Sequence, residues 1–141
     1  MITKFNIFEK LFLSEIDIKG KLSEELKEKI IQGFSMILSK RKKRNVQVIS
    51  INYKSKEEKF DKKDFLSINT LKIILSNKDI IEGILSQKTE DLKFIGTDIT
   101  IKINDKIVID IESDEKMEDD ILIEKMTKEY RKYLEKNWKI S

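Results

Sequence analysis

The chain of 141 residues contains no cysteine and no histidine. Without cysteine it can form neither a disulfide nor a thiolate metal site. Without histidine it lacks the commonest zinc ligand, the base of a Ser-His-Asp triad and the usual proton carrier near neutral pH. These absences remove most familiar hydrolase chemistry. The sequence therefore predicts a protein that is not an enzyme and that uses no metal and no cofactor.

Proline is also absent, and there are only four glycines. No stretch rich in proline, glycine or serine separates two parts of the chain, and no segment repeats. A chain of this length can bury about 70% of its unfolded surface around one core. We therefore expect a single α+β domain over residues 1–141.

The chain has no long apolar run either. Its amino-terminal stretch MITKFNIFEKLFLSE is apolar in part, but Glu9, Lys10 and Glu15 interrupt it and no small-residue cleavage site follows. Such a segment is typical neither of a signal peptide nor of a membrane span. We expect a cytoplasmic protein without a membrane partner. The abundance of lysine, isoleucine and asparagine is typical of an AT-rich genome, so lysine content alone carries little weight.

Helical periodicity occurs in three places. Ser23 is the predicted N-cap of a first helix that runs to about residue 43. A second, short helix is predicted within 76–88, because Ser76 and Asp79 have the spacing of a capping box. A third helix begins at Asp119 or Asp120. The apolar stripe of this third helix consists of Leu122, Met126, Tyr130, Tyr133, Leu134 and Trp138.

Two further segments have the character of strands. In 46–53 the apolar positions change parity between Val48 and Ile49, which predicts a bulge or a strand that is buried on both faces. In 65–75 the residues Leu71, Ile73 and Leu75 are in phase, as expected of one face of a strand. The intervening residues 54–64 are almost wholly charged, so we expect an exposed loop there.

Residues 98–112 predict a hairpin whose register follows from the hydrophobic pattern. With a three-residue loop at 104–106, all the isoleucines share one face, and Thr100 and Lys102 point away from it. A two-residue loop of Asn104 and Asp105 would place Ile103 opposite Lys106 instead, so the pattern favours the longer loop. The predicted inward residues are Ile99, Ile101, Ile103, Ile107, Ile109 and Ile111.

The fold class that follows is α+β, with a mainly antiparallel sheet packed by two to three helices. If residues 5–18 contain a strand, the element order is β-α-β-β-α-β with an added carboxy-terminal strand and helix. Ferredoxin-like sandwiches share the first six elements of this order, which is a likeness of topology alone. The spacing of Phe5, Phe8 and Phe12 fits a helix equally well, so both interpretations of 5–18 stay open.

The strongest charge feature is a run of five cations: Lys40, Arg41, Lys42, Lys43 and Arg44. One interpretation is the solvated end of the first helix, where cations stabilise exposed carbonyl groups by about 0.3–1 kcal/mol. The other is contact with nucleic-acid phosphates, for which arginine is a good bidentate ligand. No aromatic residue is interleaved in the run, so a base-stacking RNA platform is not indicated.

Acidic residues concentrate in 110–120, DIESDEKMEDD. Helix capping and solubility explain such a stretch, and mimicry of nucleic acid is a further interpretation. A cation bound between Asp98, Asp110 and Glu112, on the polar face of the hairpin, could also neutralise their like charges. That arrangement, with Lys102 nearby, would be the basis of a third function, a metal-dependent phosphodiesterase.

Large apolar residues also occur near the carboxyl end of the sequence. Tyr133, Trp138 and Ile140 are the candidate protein-contact residues, because aromatic side chains dominate many interfaces. The sequence thus favours a non-catalytic protein-binding module, such as an inhibitor, an adaptor or an immunity-type protein, including one carried by a mobile element. Its expected partner is another protein, or a second copy of the chain. The alternative is a nucleic-acid-binding protein that uses 40–44, or a nucleic-acid mimic that uses 110–120.

Overall fold

Six strands and two helices occur in residues 16–39 and 47–138, the parts of the chain that the computed structural model describes. In chain order they are β1 (Asp17–Lys19), α1 (Glu24–Ser39), β2 (Val48–Lys59), β3 (Phe65–Leu75), β4 (Ile80–Glu90), β5 (Lys93–Ile103), β6 (Lys106–Ser113) and α2 (Asp119–Trp138). This composition confirms the α+β class.

The six strands form one sheet in the order of the sequence, β1-β2-β3-β4-β5-β6. β1 runs parallel to β2 and is joined to it through α1, whereas every later pair is antiparallel. The expectation of a mainly antiparallel sheet is therefore confirmed. The ferredoxin-like order is wrong, because consecutive antiparallel strands form a meander and no helix crosses over between β3 and β5.

The predicted second helix is strand β4. Ile81 and Leu85 are four residues apart, a spacing that suits one helical face, but 81, 83 and 85 equally form one face of a strand. Pairing with β3 on one side and β5 on the other selects the strand. The supposed capping box forms a turn instead, in which Asp79 N donates to Asn77 Oδ1 at 3.0 Å.

The charged segment 54–64 is a loop only in its second half. β2 continues to Lys59 and pairs with β3 along that length, so the turn is confined to 60–64. β1 covers only 50–52 of β2, so among the described residues 53–59 form a sheet edge. Charged side chains suit such an edge because they discourage pairing with another chain.

Several local predictions are confirmed. Leu26 N donates to Ser23 Oγ at 3.2 Å, as expected of an N-cap. The parity change in β2 is a bulge between Val48 and Ser50. α2 begins at Asp119. The predicted end of the first helix near residue 43 lies outside the described residues.

The β5–β6 hairpin has the predicted register only in the part that is distant from its turn. Ile99 faces Ile111 and Ile101 faces Ile109, but the loop consists of two residues and Ile103 faces Lys106. The predicted three-residue loop is therefore wrong. Asn104 and Asp105 have φ values of 51° and 68°, which is the backbone of a tight two-residue hairpin turn.

A bulge at Val108 reconciles this short loop with the hydrophobic pattern, because it inserts one residue between Ile107 and Ile109. Ile107 then lies opposite Lys102 and is 60% exposed, so its predicted place in the core is also wrong. Ile99, Ile101 and Ile103 are buried, and Ile109 and Ile111 pack against the core.

Both helices pack on the same face of the sheet and against each other. α2 contacts β4 and β5, and α1 contacts β2. Between them and the sheet lies the hydrophobic core. Its fully buried large side chains are Ile30, Phe34, Ile51, Leu71, Ile73, Leu75, Ile81, Leu85, Ile99, Ile101, Ile103 and Tyr130.

Gly83 permits the closest approach of α2 to the sheet. A methyl group added at this position would lie 2.5 Å from Met126 Sδ and 3.0 Å from Leu122 Cδ1. The Met126 and Leu122 side chains of the helix therefore pack directly on the backbone of β4. A larger residue fits there only if these side chains or the helix shift.

We expect Gly83→Ala to lower the free energy of unfolding by about 1–3 kcal/mol, because overpacking forces the helix away from β4. Gly96→Ala is the matched control, since its added methyl group would lie 3.4 Å from Ser113 O, an ordinary contact. Urea unfolding measures both variants. Equal stabilities of the two would contradict the packing of α2 on Gly83.

Candidate protein-contact site

The first turn of α2 is held to the sheet by a hydrogen-bond network. Tyr53 Oη donates to Asp119 Oδ2 at 2.7 Å, and Asn69 Nδ2 donates to Asp119 Oδ1 at 3.0 Å. Ser55 Oγ donates to Asn69 Oδ1 at 2.7 Å. Partial burial, together with the bond to Asp119, raises the pKa of Tyr53 to about 12. Near neutral pH this hydroxyl therefore acts as a hydrogen-bond donor and not as a base.

A second network fixes the middle of α2 to the opposite end of the sheet. Tyr130 Oη donates to Asp79 Oδ2 at 2.8 Å, and Asn104 Nδ2 donates to Asp79 Oδ1 at 3.0 Å. Burial is the main cause that raises the pKa of Tyr130 far above its ordinary value, and the bond to Asp79 adds to it. Both networks thus serve to position α2.

A cleft of about 500 Å³ lies between the starts of the two helices. Three of its polar side chains are engaged within the fold: Ser23 caps α1, Asp119 binds Tyr53 and Asn69, and Gln87 donates to the carbonyl of Met117. The lining residues Glu25, Lys116 and Glu118 are exposed. In the described part of the chain, no buried side-chain nitrogen or oxygen lacks a hydrogen-bond partner. The described cleft therefore offers no buried, unsatisfied group that calls for a ligand.

The basic run at 40–44 and Ile140 lie outside the described residues, as does the side chain of Trp138. Tyr133 is half-buried, and its ring stacks on Tyr130 with the centroids 6.0 Å apart. Its hydroxyl accepts a hydrogen bond from Asn104 Nδ2 at 3.2 Å. The printed contacts of Tyr133 are thus made within the fold, and its role in partner binding stays a prediction.

The acidic residues of 110–120 are divided between two elements. Asp110 and Glu112 are exposed on β6, opposite Thr100 and Asp98, whereas Asp119 is taken up by the first turn of α2. Within residues 16–39 and 47–138, no three metal-ligating side chains are grouped so that they could hold an ion. The fold therefore does not bring the acidic residues of 110–120 together in a single metal site.

A surface that the sequence did not single out lies at the far end of the sheet. We define the hairpin tip as residues 60–64, between β2 and β3, together with residues 91–92, between β4 and β5. The two turns are joined: Leu92 N donates to Lys63 O at 2.9 Å, and Asp91 N donates to Asp64 Oδ1 at 2.7 Å. The hairpin tip is therefore a preorganised unit and not two independent loops.

Each turn of the hairpin tip presents one large apolar side chain to solvent. Phe60 and Leu92 are each 67% exposed, the highest exposures among the large apolar residues of the described chain. Nearby, a bulge opposite Thr89 adds Ile95, which is 43% exposed. Burying these side chains against a partner would remove apolar surface from water.

The backbone at Leu92 is unusual for this residue type. Asp91 and Leu92 have φ values of 51° and 60°, the left-handed region that glycine and asparagine occupy most readily. A leucine there costs conformational energy, and its exposed side chain gains no compensating burial within the fold. The leucine side chain is thus not explained by the stability of the turn.

Phe60 and Leu92 are hard to find from sequence because Phe60 is a single apolar residue in a charged segment and Leu92 lies between two charged residues. The available signal was Phe60 itself, the only aromatic residue between positions 54 and 64. The exposure of both depends on how far the two helices extend over the sheet, which local pattern does not reveal.

Neither helix of the described residues is long and apolar enough to cross a membrane. Comparison of the chain with protein-family models, with curated proteins and with solved structures finds no significant match.

The tyrosine networks predict an ordered series of stabilities. Tyr130→Phe should lower the free energy of unfolding by about 1–3 kcal/mol, because Asp79 loses a buried donor. Tyr133→Phe is the matched control and should cost less, because it removes only an acceptor for the exposed Asn104. Chemical denaturation measures both. A larger loss in the Tyr133 variant would contradict the anchoring role of Tyr130.

The raised pKa of Tyr53 predicts a loss of stability at alkaline pH. Between about pH 10, where an unfolded tyrosine ionises, and about pH 12, the folded chain keeps a proton that the unfolded chain has lost. The unfolded state therefore binds fewer protons, so the free energy of unfolding falls as pH rises. Tyr53→Phe should make this fall shallower in urea titrations across that range. Identical slopes in the two chains would contradict the assignment.

Proposed function

We propose that the chain is a non-catalytic protein-binding module that contacts its partner through the hairpin tip. The observation that carries the proposal is the pair of exposed apolar side chains, Phe60 and Leu92, on two turns that hydrogen bonds hold together. Interface hot spots are typically large side chains that fill a pocket on the partner. A preorganised surface binds with less loss of conformational entropy than a mobile one.

The strained backbone at Leu92 supports this function over a purely structural role. A residue that disfavours its own conformation and is not buried contributes little to folding. Retaining a leucine side chain there makes physical sense if the side chain is used against another molecule. The absence of histidine and cysteine from the sequence agrees with a role in binding rather than catalysis.

The alternative functions are nucleic-acid binding and mimicry of nucleic acid. The cations of 40–44 lie outside the described residues, so phosphate binding still rests on the sequence pattern alone. Mimicry would use the acids of 110–120, of which Asp110 and Glu112 are exposed on β6. Both alternatives stay predictions. Only nucleic-acid binding should be sensitive to nuclease, because a mimic would contact its protein partner directly through its acids.

Affinity capture with three forms of the full chain tests the proposal. Proteins retained by the wild type should be lost from Phe60→Ser/Leu92→Gly, because both apolar side chains are removed. The control is Ile49→Ser, since Ile49 is another exposed apolar residue, at the start of β2 and away from the hairpin tip. This control should retain the same proteins.

The double variant should be properly folded, which its unfolding transition checks. Leu92→Gly places glycine at a positive φ, so it should be no less stable than the wild type. If no retained protein depends on Phe60 and Leu92, the proposal is wrong. Loss of the retained proteins after nuclease treatment would instead favour the nucleic-acid alternative.

A further inference from the structure

At the hairpin tip and the adjoining strand ends, the acidic side chains have partners within the described part of the fold and several lysines do not. The acids are held within the fold: Asp61 accepts from Lys63 N at 2.7 Å, Asp64 accepts from Asp91 N, and Glu90 pairs with Lys88 at 3.1 Å. The bond from Lys63 N is the main cause that lowers the pKa of Asp61. These three acids thus direct oxygen atoms at backbone donors or at a lysine of the same chain.

The lysines on either side of the apolar residues are in a different position. Lys59, Lys62 and Lys93 are exposed, and none has an ion-pair or hydrogen-bond partner for its ammonium group among the described residues. Lys59 and Lys62 flank Phe60, and Lys93 follows Leu92. We refer to these three residues as the lysine collar.

We infer that the hairpin tip docks into an apolar pocket of a partner protein whose rim carries carboxylates. Phe60 and Leu92 fill the pocket, and the lysine collar pairs with the acidic rim. This inference rests on the proposed function and specifies the chemistry of the partner. An apolar centre surrounded by charged groups is the usual anatomy of a protein interface.

The acids and lysines of the hairpin tip together determine the distance over which the tip attracts a charged partner. The acids of the hairpin tip offset the lysines at long range, so the collar acts only where its ammonium groups meet the rim. The collar should therefore determine which partner is accepted and how long the complex lasts. Added salt should weaken its contribution because these side chains are exposed.

Calorimetric titration of the purified partner, identified by capture with the wild-type chain, tests the inference. Lys59→Glu/Lys62→Glu/Lys93→Glu should weaken binding by about tenfold or more, because it places acids against acids. The matched control is Lys21→Glu/Lys106→Glu/Lys128→Glu. These three lysines are also exposed and lie elsewhere, so the net charge changes equally. The control should bind nearly as the wild type does, and high salt should narrow the difference.

The outcomes separate this inference from the proposed function. If both triple variants bind alike while Phe60→Ser/Leu92→Gly loses binding, the partner lacks the acidic rim and the proposed function stands. If Phe60→Ser/Leu92→Gly binds as the wild type does, both are wrong. The chain is also mixed with phosphatidylcholine vesicles, with and without phosphatidylglycerol. Sedimentation of the wild type with them, lost in that double variant, would identify a lipid surface as the occupant and overturn the inference.

Discussion

The contact between α2 and the middle of the sheet determines the shape of the whole fold. It depends on the missing side chain of Gly83, into whose place Met126 and Leu122 pack. Two tyrosine–aspartate hydrogen bonds then fix the helix along its length. At its start the helix supplies the acceptor, Asp119, and one turn beyond Met126 it supplies the donor, Tyr130. The partners come from the sheet side in each case, so the helix can neither slide nor rotate without breaking both.

This placement of α2 also explains why neither helix of the described residues covers one end of the sheet. The helices cover the part of the sheet around Ile51 and Leu71, which are buried, whereas β2 ends in exposed residues such as Lys59. Beyond the helices the strands continue as paired hairpins. Two hydrogen bonds, from Leu92 N to Lys63 O and from Asp91 N to Asp64 Oδ1, join the two turns of the hairpin tip. The order of the hairpin tip therefore does not require a covering helix. A bare but ordered end is the physical basis of the proposed contact surface.

The two edges of the sheet are protected against unwanted pairing in different ways. At one edge, 53–59 of β2 carry mostly charged side chains beyond the short β1. At the other, the bulge at Val108 disturbs β6. Both devices disfavour the addition of another strand. They leave the hairpin tip as the part of the described surface where apolar side chains are most exposed.

Prediction from sequence succeeded where local chemistry decides. The cap at Ser23 and the stripe of α2 from Leu122 to Leu134 are set within a few turns of chain, and both were predicted correctly. It failed for β4, because Ile81 and Leu85 suit either period and only pairing with distant strands decides between them. The predicted register of the β5–β6 hairpin was right at Ile99 and Ile101, which face isoleucines of β6. It was wrong nearer the turn, because a bulge at Val108 changes the loop length without disturbing those pairs. Phe60 and Leu92 were missed because exposure depends on the extent of the helices, a property of the whole fold.

The central claim is that the hairpin tip presents Phe60 and Leu92 to solvent on an otherwise well-packed fold. Nuclear magnetic resonance of leucine methyl groups with a soluble paramagnetic agent tests it most directly. We expect strong relaxation of the Leu92 methyl groups. Leu85 on β4 and Leu122 on α2 should be little affected, because both side chains are buried in the core. Protection of Leu92 equal to that of Leu85 would contradict it.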